Sequence, residues 1–90
     1  MNDESDEEWW TFAIALGEAV TAARESIGLS AAEAAEAAGI ATFTYTKLER
    51  GESNPGRPAN PRLRTLRSVA RVLNVPVTSL LLAAESRAQG

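Results

Sequence analysis

Residues 30–51, SAAEAAEAAGIATFTYTKLERG, restrict the possible folds more than any other stretch of the chain. Apolar residues recur at helical spacing on both sides of Gly39, and Ala35 lies four residues before it. A small residue lets two helices cross closely, and glycine readily takes the left-handed conformation of a tight turn. The stretch therefore predicts two short helices, about 31–38 and 42–50, joined by a glycine turn.

The second of these helices presents its first turns to solvent. Residues 42–47, TFTYTK, precede the last apolar contact at Leu48 and leave a polar and aromatic surface uncovered. In DNA-binding proteins of this architecture, that surface enters the major groove.

The residue types that are missing exclude several classes of function. The chain has no Cys and no His, so it lacks disulfides, thiol nucleophiles and the commonest metal ligand. We predict no cofactor, no metal, no small-molecule site and no enzyme, because neither a nucleophile–base pair nor a phosphate loop is visible. With no apolar run near the roughly 20 residues that span a bilayer, the sequence favours a small soluble cytoplasmic protein that is nucleoid-associated when bound to DNA.

Charge is divided unevenly along the chain, whose net charge is -3. Residues 1–41 contain nine acidic residues and one arginine, for a net of -8, whereas residues 42–71 contain seven basic and two acidic residues, for a net of +5. Such asymmetry indicates a basic binding face beside an acidic segment, although a solvated arginine face would give the same count.

The sequence predicts one helical domain with a short segment at each end. We predict a disordered acidic leader at 1–8, a domain at 9–85 and a frayed tail at 86–90. The first helix begins at Trp9 and ends near Gly28, and Ser30 with Glu33 forms a capping box for the second helix. Residues 51–61 are rich in proline and glycine and are predicted as a loop without strands. A fourth helix covers about 62–73 and buries Leu63, and a fifth covers 77–84.

Four segments resemble the Xre, or lambda-repressor-like, helix-turn-helix family, which includes Cro-type regulators. They are LGEAVTAARESIGLS at 16–30, AAEAAGI at 34–40, KLERG at 47–51 and LRTLRSVARVLNVPVTSLL at 63–81, and together they cover roughly 14–82. The resemblance implies an all-α fold, a compact five-helix domain, here with an extended first helix. It also implies that Arg24 and Glu49 form a structural salt bridge between the first and third helices.

The resemblance further implies a DNA interface, with the helix-turn-helix at about 30–51. The base-reading candidates are Thr42, Phe43, Thr44 and Lys47. The candidates for phosphate contacts are Thr46, Arg50, Arg57, Arg62, Arg64 and Arg67, whereas Arg71 is expected to face elsewhere. The reading surface contains no Arg, Asn or Gln, the side chains that read guanine and adenine by paired hydrogen bonds. This predicts double-stranded DNA binding of modest sequence specificity.

Two function hypotheses remain at this point. The first is a transcriptional regulator, a repressor that acts as a homodimer on double-stranded DNA. The second is a protein-interaction module, antitoxin-like or an adaptor, which binds a protein partner through the same helices. Trp9 and Trp10 point about 100° apart on a helix, so one of them is a candidate for contact with a partner subunit or another protein. The acidic leader is the alternative contact site for a protein partner.

Overall fold

The computed structural model describes residues 5–90. The elements in this range are α1 (Asp6–Ser26), α2 (Ala31–Ala38), α3 (Thr42–Glu49), β1 (Glu52–Asn54), β2 (Arg57–Pro58), α4 (Leu63–Val72) and α5 (Val77–Gln89). The predicted five-helix, all-α architecture with an extended first helix is confirmed. Among these helices, none alone is long and apolar enough to cross a membrane; only α4 and α5 together pass that test, and they are bent by 100°.

The first helix begins earlier than predicted, at Asp6 instead of Trp9. Ser5 accepts a hydrogen bond from the backbone N–H of Glu8, and the Glu8 carboxylate accepts one from the backbone N–H of Ser5. This reciprocal capping box satisfies helix-end donors that would otherwise lack partners. The prediction of a disordered leader was therefore wrong for residues 5–8, and its first four residues lie outside the described range.

The turn between α2 and α3 follows the sequence prediction. Ser30 and Glu33 form the expected capping box at the start of α2. Gly39 ends the helix with φ of 76° and ψ of 28°, and its N–H donates to backbone carbonyls of the last turn. A side chain at this φ would be strained, so glycine here sets the angle at which α3 leaves α2.

Residues 51–61 form a short antiparallel hairpin within the segment that was predicted as a plain loop. Glu52 pairs with Pro58 and Asn54 with Arg57, with an irregularity in register between them. The exposed turn contains Gly56 with φ of 77°. The prediction of a loop without strands was wrong. The two strands are only three and two residues long, so the sequence shows no alternation of apolar and polar residues there.

Two predictions for the C-terminal helices need correction. Leu63, predicted to be buried, is 68% exposed on the first turn of α4, whereas Leu66 and Val69 are buried. Helix α5 continues to Gln89, so residues 86–89 are helical and not a frayed tail. On α5, Leu80 is buried and Leu81 is half-buried.

The core is built from small side chains that let the helices approach closely. Tyr45, Leu73, Val20 and Val69 are the largest fully buried side chains, and most other members of the core are alanines and leucines. Helix α1 meets the end of α3 at Gly17, where an added Cβ would lie only 2.8 Å from the carbonyl oxygen of Leu48. Close packing of this kind fixes the position of α3 on the body of the domain.

Candidate nucleic-acid interface

The first turns of α3 form an exposed surface. The helix begins after Ala41, whose backbone is extended and whose side chain supplies no cap. Thr42, Phe43 and Thr44 are exposed, and Phe43 retains 67% of its accessible surface. Tyr45 and Leu48 anchor the opposite face in the core. Three of the predicted base-reading residues, Thr42, Phe43 and Thr44, are thus presented to solvent by a helix that packs on the core, and Lys47 is half-buried.

Phe43 and Lys47 lie one helical turn apart and interact with each other. The Lys47 ammonium lies 4.6 Å from the centre of the Phe43 ring. Such a cation–π contact contributes about 0.5–1 kcal/mol at an exposed site. The pair therefore presents a positive charge and an apolar ring as one unit on the reading surface.

A hollow of about 240 Å³ separates α3 from the start of α4. Thr44 and Lys47 line it from α3, Thr65 lines it from α4, and Arg62 lines it from the position just before α4. The remaining lining residues come from the turn after α2, from α3, from β1 and from the segment that follows β2: Ile40, Leu48, Glu52, Ser53, Ala59, Asn60 and Pro61. The hollow brings a predicted phosphate contact, Arg62, to the same place as two predicted base-reading residues.

Asn60, Ser53 and Thr65 were missed by sequence reasoning. Their side chains are polar and they line the hollow beside Lys47 and Arg62. Glu52 also lines it and places a negative charge there, 3.7 Å from Nε of Arg50. No pattern in the nearby sequence marks these residues, because they come close to Lys47 only after the hairpin has folded back towards α3.

Arg64 and Arg67 line a different depression, together with Arg71. The three side chains follow one another at steps of three and four, which places them on one face of α4. Arg71 therefore shares a face with two of the phosphate candidates, Arg64 and Arg67, and which of the three contacts DNA stays a prediction. Leu63 and Ser68 complete this surface, which is separate from the hollow that contains Arg62.

The remaining candidates for phosphate contacts differ in their exposure and in their contacts. Arg57 is exposed on β2, and Arg50 is exposed but within 3.7 Å of Glu52. The hydroxyl of Thr46 donates to the carbonyl of Phe43 at 3.0 Å. Since that proton is used within the helix, a phosphate contact at Thr46 would require its hydroxyl to rotate.

The structure contains the Arg24–Glu49 ion pair that the resemblance implies. Nε of Arg24 donates to Oε2 of Glu49 at 2.7 Å, and a terminal nitrogen donates to Oε1 at 3.1 Å. A third nitrogen donates to the carbonyl of Leu29 at 2.9 Å. The side chains are only 15% and 12% exposed. This two-bond bridge joins α1 to the end of α3 and fixes its orientation.

The bridge shifts the protonation of its members. The hydrogen bonds that Arg24 donates to the Glu49 carboxylate raise the pKa of Arg24. Burial would raise the pKa of Glu49, but the hydrogen bonds and positive charge of Arg24, together with the nearby Tyr45 and Thr21 side chains, outweigh burial, and the pKa of Glu49 lies below its ordinary value. Burial, together with the nearby Glu49 carboxylate, raises the pKa of Tyr45 well above its ordinary 10.0. The Tyr45 hydroxyl is buried and has no hydrogen-bond partner among residues 5–90.

We expect Tyr45→Phe to keep the stability of the protein at neutral pH and to protect it in alkali. A raised pKa in the folded state means that wild-type stability is complete below pH 10 and falls as the pH rises above it. Phenylalanine cannot ionise and removes an unsatisfied buried hydroxyl. Urea unfolding from pH 7 to 11 measures the difference, and the chain's single tyrosine makes tyrosinate absorbance specific to Tyr45. Parallel alkaline losses in both proteins would contradict the assignment.

The two tryptophans have different environments. The Trp9 indole N–H donates to the carbonyl of Ala59 at 2.9 Å, and its ring stacks on Phe12 with centroids 5.5 Å apart. Trp9 thus contacts the segment before α4 as well as lying near the end of α5. Trp10 is half-buried. Contact of either residue with a partner remains a prediction.

Comparison with known proteins identifies the fold. The helix-turn-helix family model matches residues 20–80, which includes α2, α3 and the hollow beside them. The chain belongs to the Xre, or lambda-repressor-like, helix-turn-helix family. The resemblance noted in the sequence is thereby confirmed.

A solved helix-turn-helix regulator has a similar structure. The crystal structure of the clp gene regulator ClgR from Corynebacterium glutamicum superposes with a TM-score of 0.77 and 27% sequence identity. The match covers 87% of this chain and 77% of ClgR. No curated protein sequence gives a match.

This helix-turn-helix protein is a DNA-binding transcriptional regulator and not an enzyme. The family match supports that conclusion, and DNA is the partner of this protein. Within residues 5–90, no group of three or more acidic side chains is placed to hold a metal ion.

Proposed function

We propose that the protein is a dimeric repressor that binds DNA through α3, and that the hollow between α3 and α4 receives the sugar-phosphate backbone. Phe43 and the threonine methyl groups contact thymine methyl groups in the major groove, and Lys47 reaches guanine or a phosphate. Such a regulator acts in the cytoplasm, where it is associated with the nucleoid.

The observation that carries this proposal is the shared hollow of Thr44, Lys47 and Arg62. Two cationic side chains from different elements converge on it, next to polar groups that can donate to phosphate oxygens. Phosphate contacts fix the register of a protein on DNA, and neighbouring side chains then meet the base edges. The outward Phe43 lies on the same helix as Thr44 and Lys47, so both kinds of contact can form together.

The remaining arginines extend this interface. Arg57 on the hairpin and Arg64 and Arg67 on α4 are exposed, and each can neutralise a backbone phosphate. Arg50 contributes less, since it is close to Glu52. Contacts of this kind supply affinity without sequence preference, which agrees with the absence of Arg, Asn and Gln from the reading surface.

We infer a homodimer from the small size of α3, the helix that contacts the bases. An eight-residue helix contacts only a few base pairs, and two copies on half-sites one helical turn apart multiply the affinity. Trp10 is the candidate subunit contact, since Trp9 is engaged within its own chain. Sedimentation with a duplex carrying two half-sites should show two chains per duplex; saturation at one chain would contradict the dimer.

Arg62→Ala tests the phosphate role. We expect weaker binding to all duplex sequences alike, because the contact carries no sequence information. The slope of log affinity against log salt concentration should also become smaller in magnitude by about one unit. Fluorescence anisotropy at several salt concentrations measures both. Arg87→Ala is the matched control, because Arg87 is an exposed arginine on α5 whose nearest acid, Glu18, lies 3.8 Å away. An unchanged slope in Arg62→Ala would reject the role of the hollow.

The exposed ring of Phe43 also favours a second candidate function, the binding of a protein partner. On that hypothesis, Phe43→Ala abolishes a protein complex and no duplex competes for the surface. Competition between duplex DNA and the partner therefore separates the two functions.

A further inference from the structure

The first turns of α1 are bonded to the segment that leads into α4. The Trp9 indole N–H donates to the Ala59 carbonyl at 2.9 Å, across 50 residues of sequence. The Ala59 N–H in turn donates to the carbonyl of Gly51 at 2.7 Å. Both polar backbone groups of Ala59 are thus engaged, and the residue is only 3% exposed. This closes the base of the hairpin and attaches it to α1.

Gly51 belongs to the same attachment. Its φ of 77° is left-handed, and an added Cβ would lie 2.9 Å from Cα of Ile14 on α1. The hairpin therefore leaves α3 directly against the backbone of α1. Both ends of the hairpin segment, Gly51 and Ala59, are held by the same helix.

The attachment controls the residues that line the hollow. Asn60, Pro61 and Arg62 follow Ala59 immediately, and all three line the hollow with Lys47. Pro61 has a fixed φ and restricts Asn60 before it to extended conformations. Few backbone torsions can vary between the Ala59 carbonyl and Arg62, so the bond from Trp9 limits where the backbone of Arg62 can lie and from which point its side chain reaches the hollow.

The turns of α1 that contain Trp9 lie before the part of the chain that the family model matches, which begins at residue 20. They are themselves stabilised by the Ser5–Glu8 capping box and by the stacking of Trp9 on Phe12. These first turns are therefore stabilised by contacts of their own, and through the Trp9 indole they can hold the segment that contains Ala59.

We propose that Trp9 is a positioning residue for DNA binding: its indole holds the Ala59–Arg62 segment in the conformation in which Arg62 meets a backbone phosphate. This proposal rests on the phosphate role of the hollow. The energetic basis is preorganisation, since a segment ordered before binding loses less conformational entropy when DNA binds.

The test is Trp9→Phe, which keeps an aromatic ring against Phe12 and removes the indole N–H donor together with part of the ring. We expect the DNA affinity to fall about 3- to 10-fold, the range that corresponds to one lost hydrogen bond. The backbone amides of residues 57–62 should exchange with solvent faster, while those of α3 keep their protection. Thr11→Ala is the control, since it removes a hydrogen bond within α1, to the Glu7 carbonyl, and should leave the affinity unchanged.

A double-mutant cycle shows through which arginine Trp9 acts. The effect of Trp9→Phe should disappear in the Arg62→Ala background and persist in the Arg64→Ala background, because Arg64 lines a different depression. An equal effect in both backgrounds would overturn the proposal. So would a Trp9→Phe chain that fails to fold, since the indole would then hold the whole domain and not one segment.

The outcomes also separate this proposal from the one on which it rests. If Arg62→Ala binds DNA like the wild type, the phosphate role fails and the positioning role fails with it. If Arg62→Ala weakens binding and Trp9→Phe does not, only the positioning role is rejected.

Discussion

Glu49→Ala should lower the free energy of unfolding by about 3 kcal/mol, the lower end of the range for breaking a buried ion pair. The change leaves the Arg24 guanidinium, only 15% exposed, without the carboxylate that accepts two of its hydrogen bonds. Small domains have a total stability of about 5–15 kcal/mol, so this loss is a large fraction. The expected fall in Tm is on the order of 15 °C.

Urea unfolding at pH 7 measures this loss, and Glu18→Ala is the matched control. Glu18 is an exposed acid on α1 that lies 3.8 Å from Arg87, and exposed pairs contribute only about 0–1 kcal/mol. Equal stabilities of Glu49→Ala and Glu18→Ala would contradict a structural role for the Arg24–Glu49 bridge.

The same bridge predicts an acid dependence. The folded pKa of Glu49 is lowered, so its contribution is complete above the ordinary value of 4.5 and is lost as the pH falls through the folded pKa. The stability difference between wild type and Glu49→Ala should therefore shrink in acid.

Phe43→Ala should weaken DNA binding by about 1–3 kcal/mol and relax the preference at one base position. The ring is exposed and has no role in the core, so the loss comes from its contact with DNA and from Lys47, whose ammonium lies 4.6 Å from the ring centre. Affinities for a set of duplexes that differ at single positions measure both effects.

Leu82→Ala is the matched control for Phe43→Ala. Leu82 is an apolar side chain that is 70% exposed, on α5 and away from the reading surface. It should leave both affinity and preference unchanged. If Phe43→Ala resembles Leu82→Ala in DNA binding, α3 does not read the groove through this ring.

Local signals were enough to predict the helices that build the interface. Ser30 with Glu33 and the left-handed Gly39 define α2 and its end by chemistry within a few residues. The same kind of signal, Ser5 with Glu8, was present at the start of α1. It was missed because the surrounding acids suggested a disordered leader.

The features that could not be predicted depend on contacts between distant residues. The bond from Trp9 to Ala59 spans 50 residues, and no pattern within either segment indicates it. Leu63 has the spacing of a core residue but remains exposed on the first turn of α4. The hollow beside Lys47 likewise forms only when the hairpin is closed at Gly51 and Ala59.

Amide chemical shifts recorded during titration with a short DNA duplex at low salt test whether α3 and the hollow beside it bind DNA. Affinity from phosphate contacts is independent of sequence, so any duplex of sufficient length will serve. We expect the largest changes at residues 42–47 and 60–65, around Phe43, Lys47 and Arg62, with little change on α5. Changes confined to α5 and the exposed face of α1, with none around Lys47 and Arg62, would contradict it.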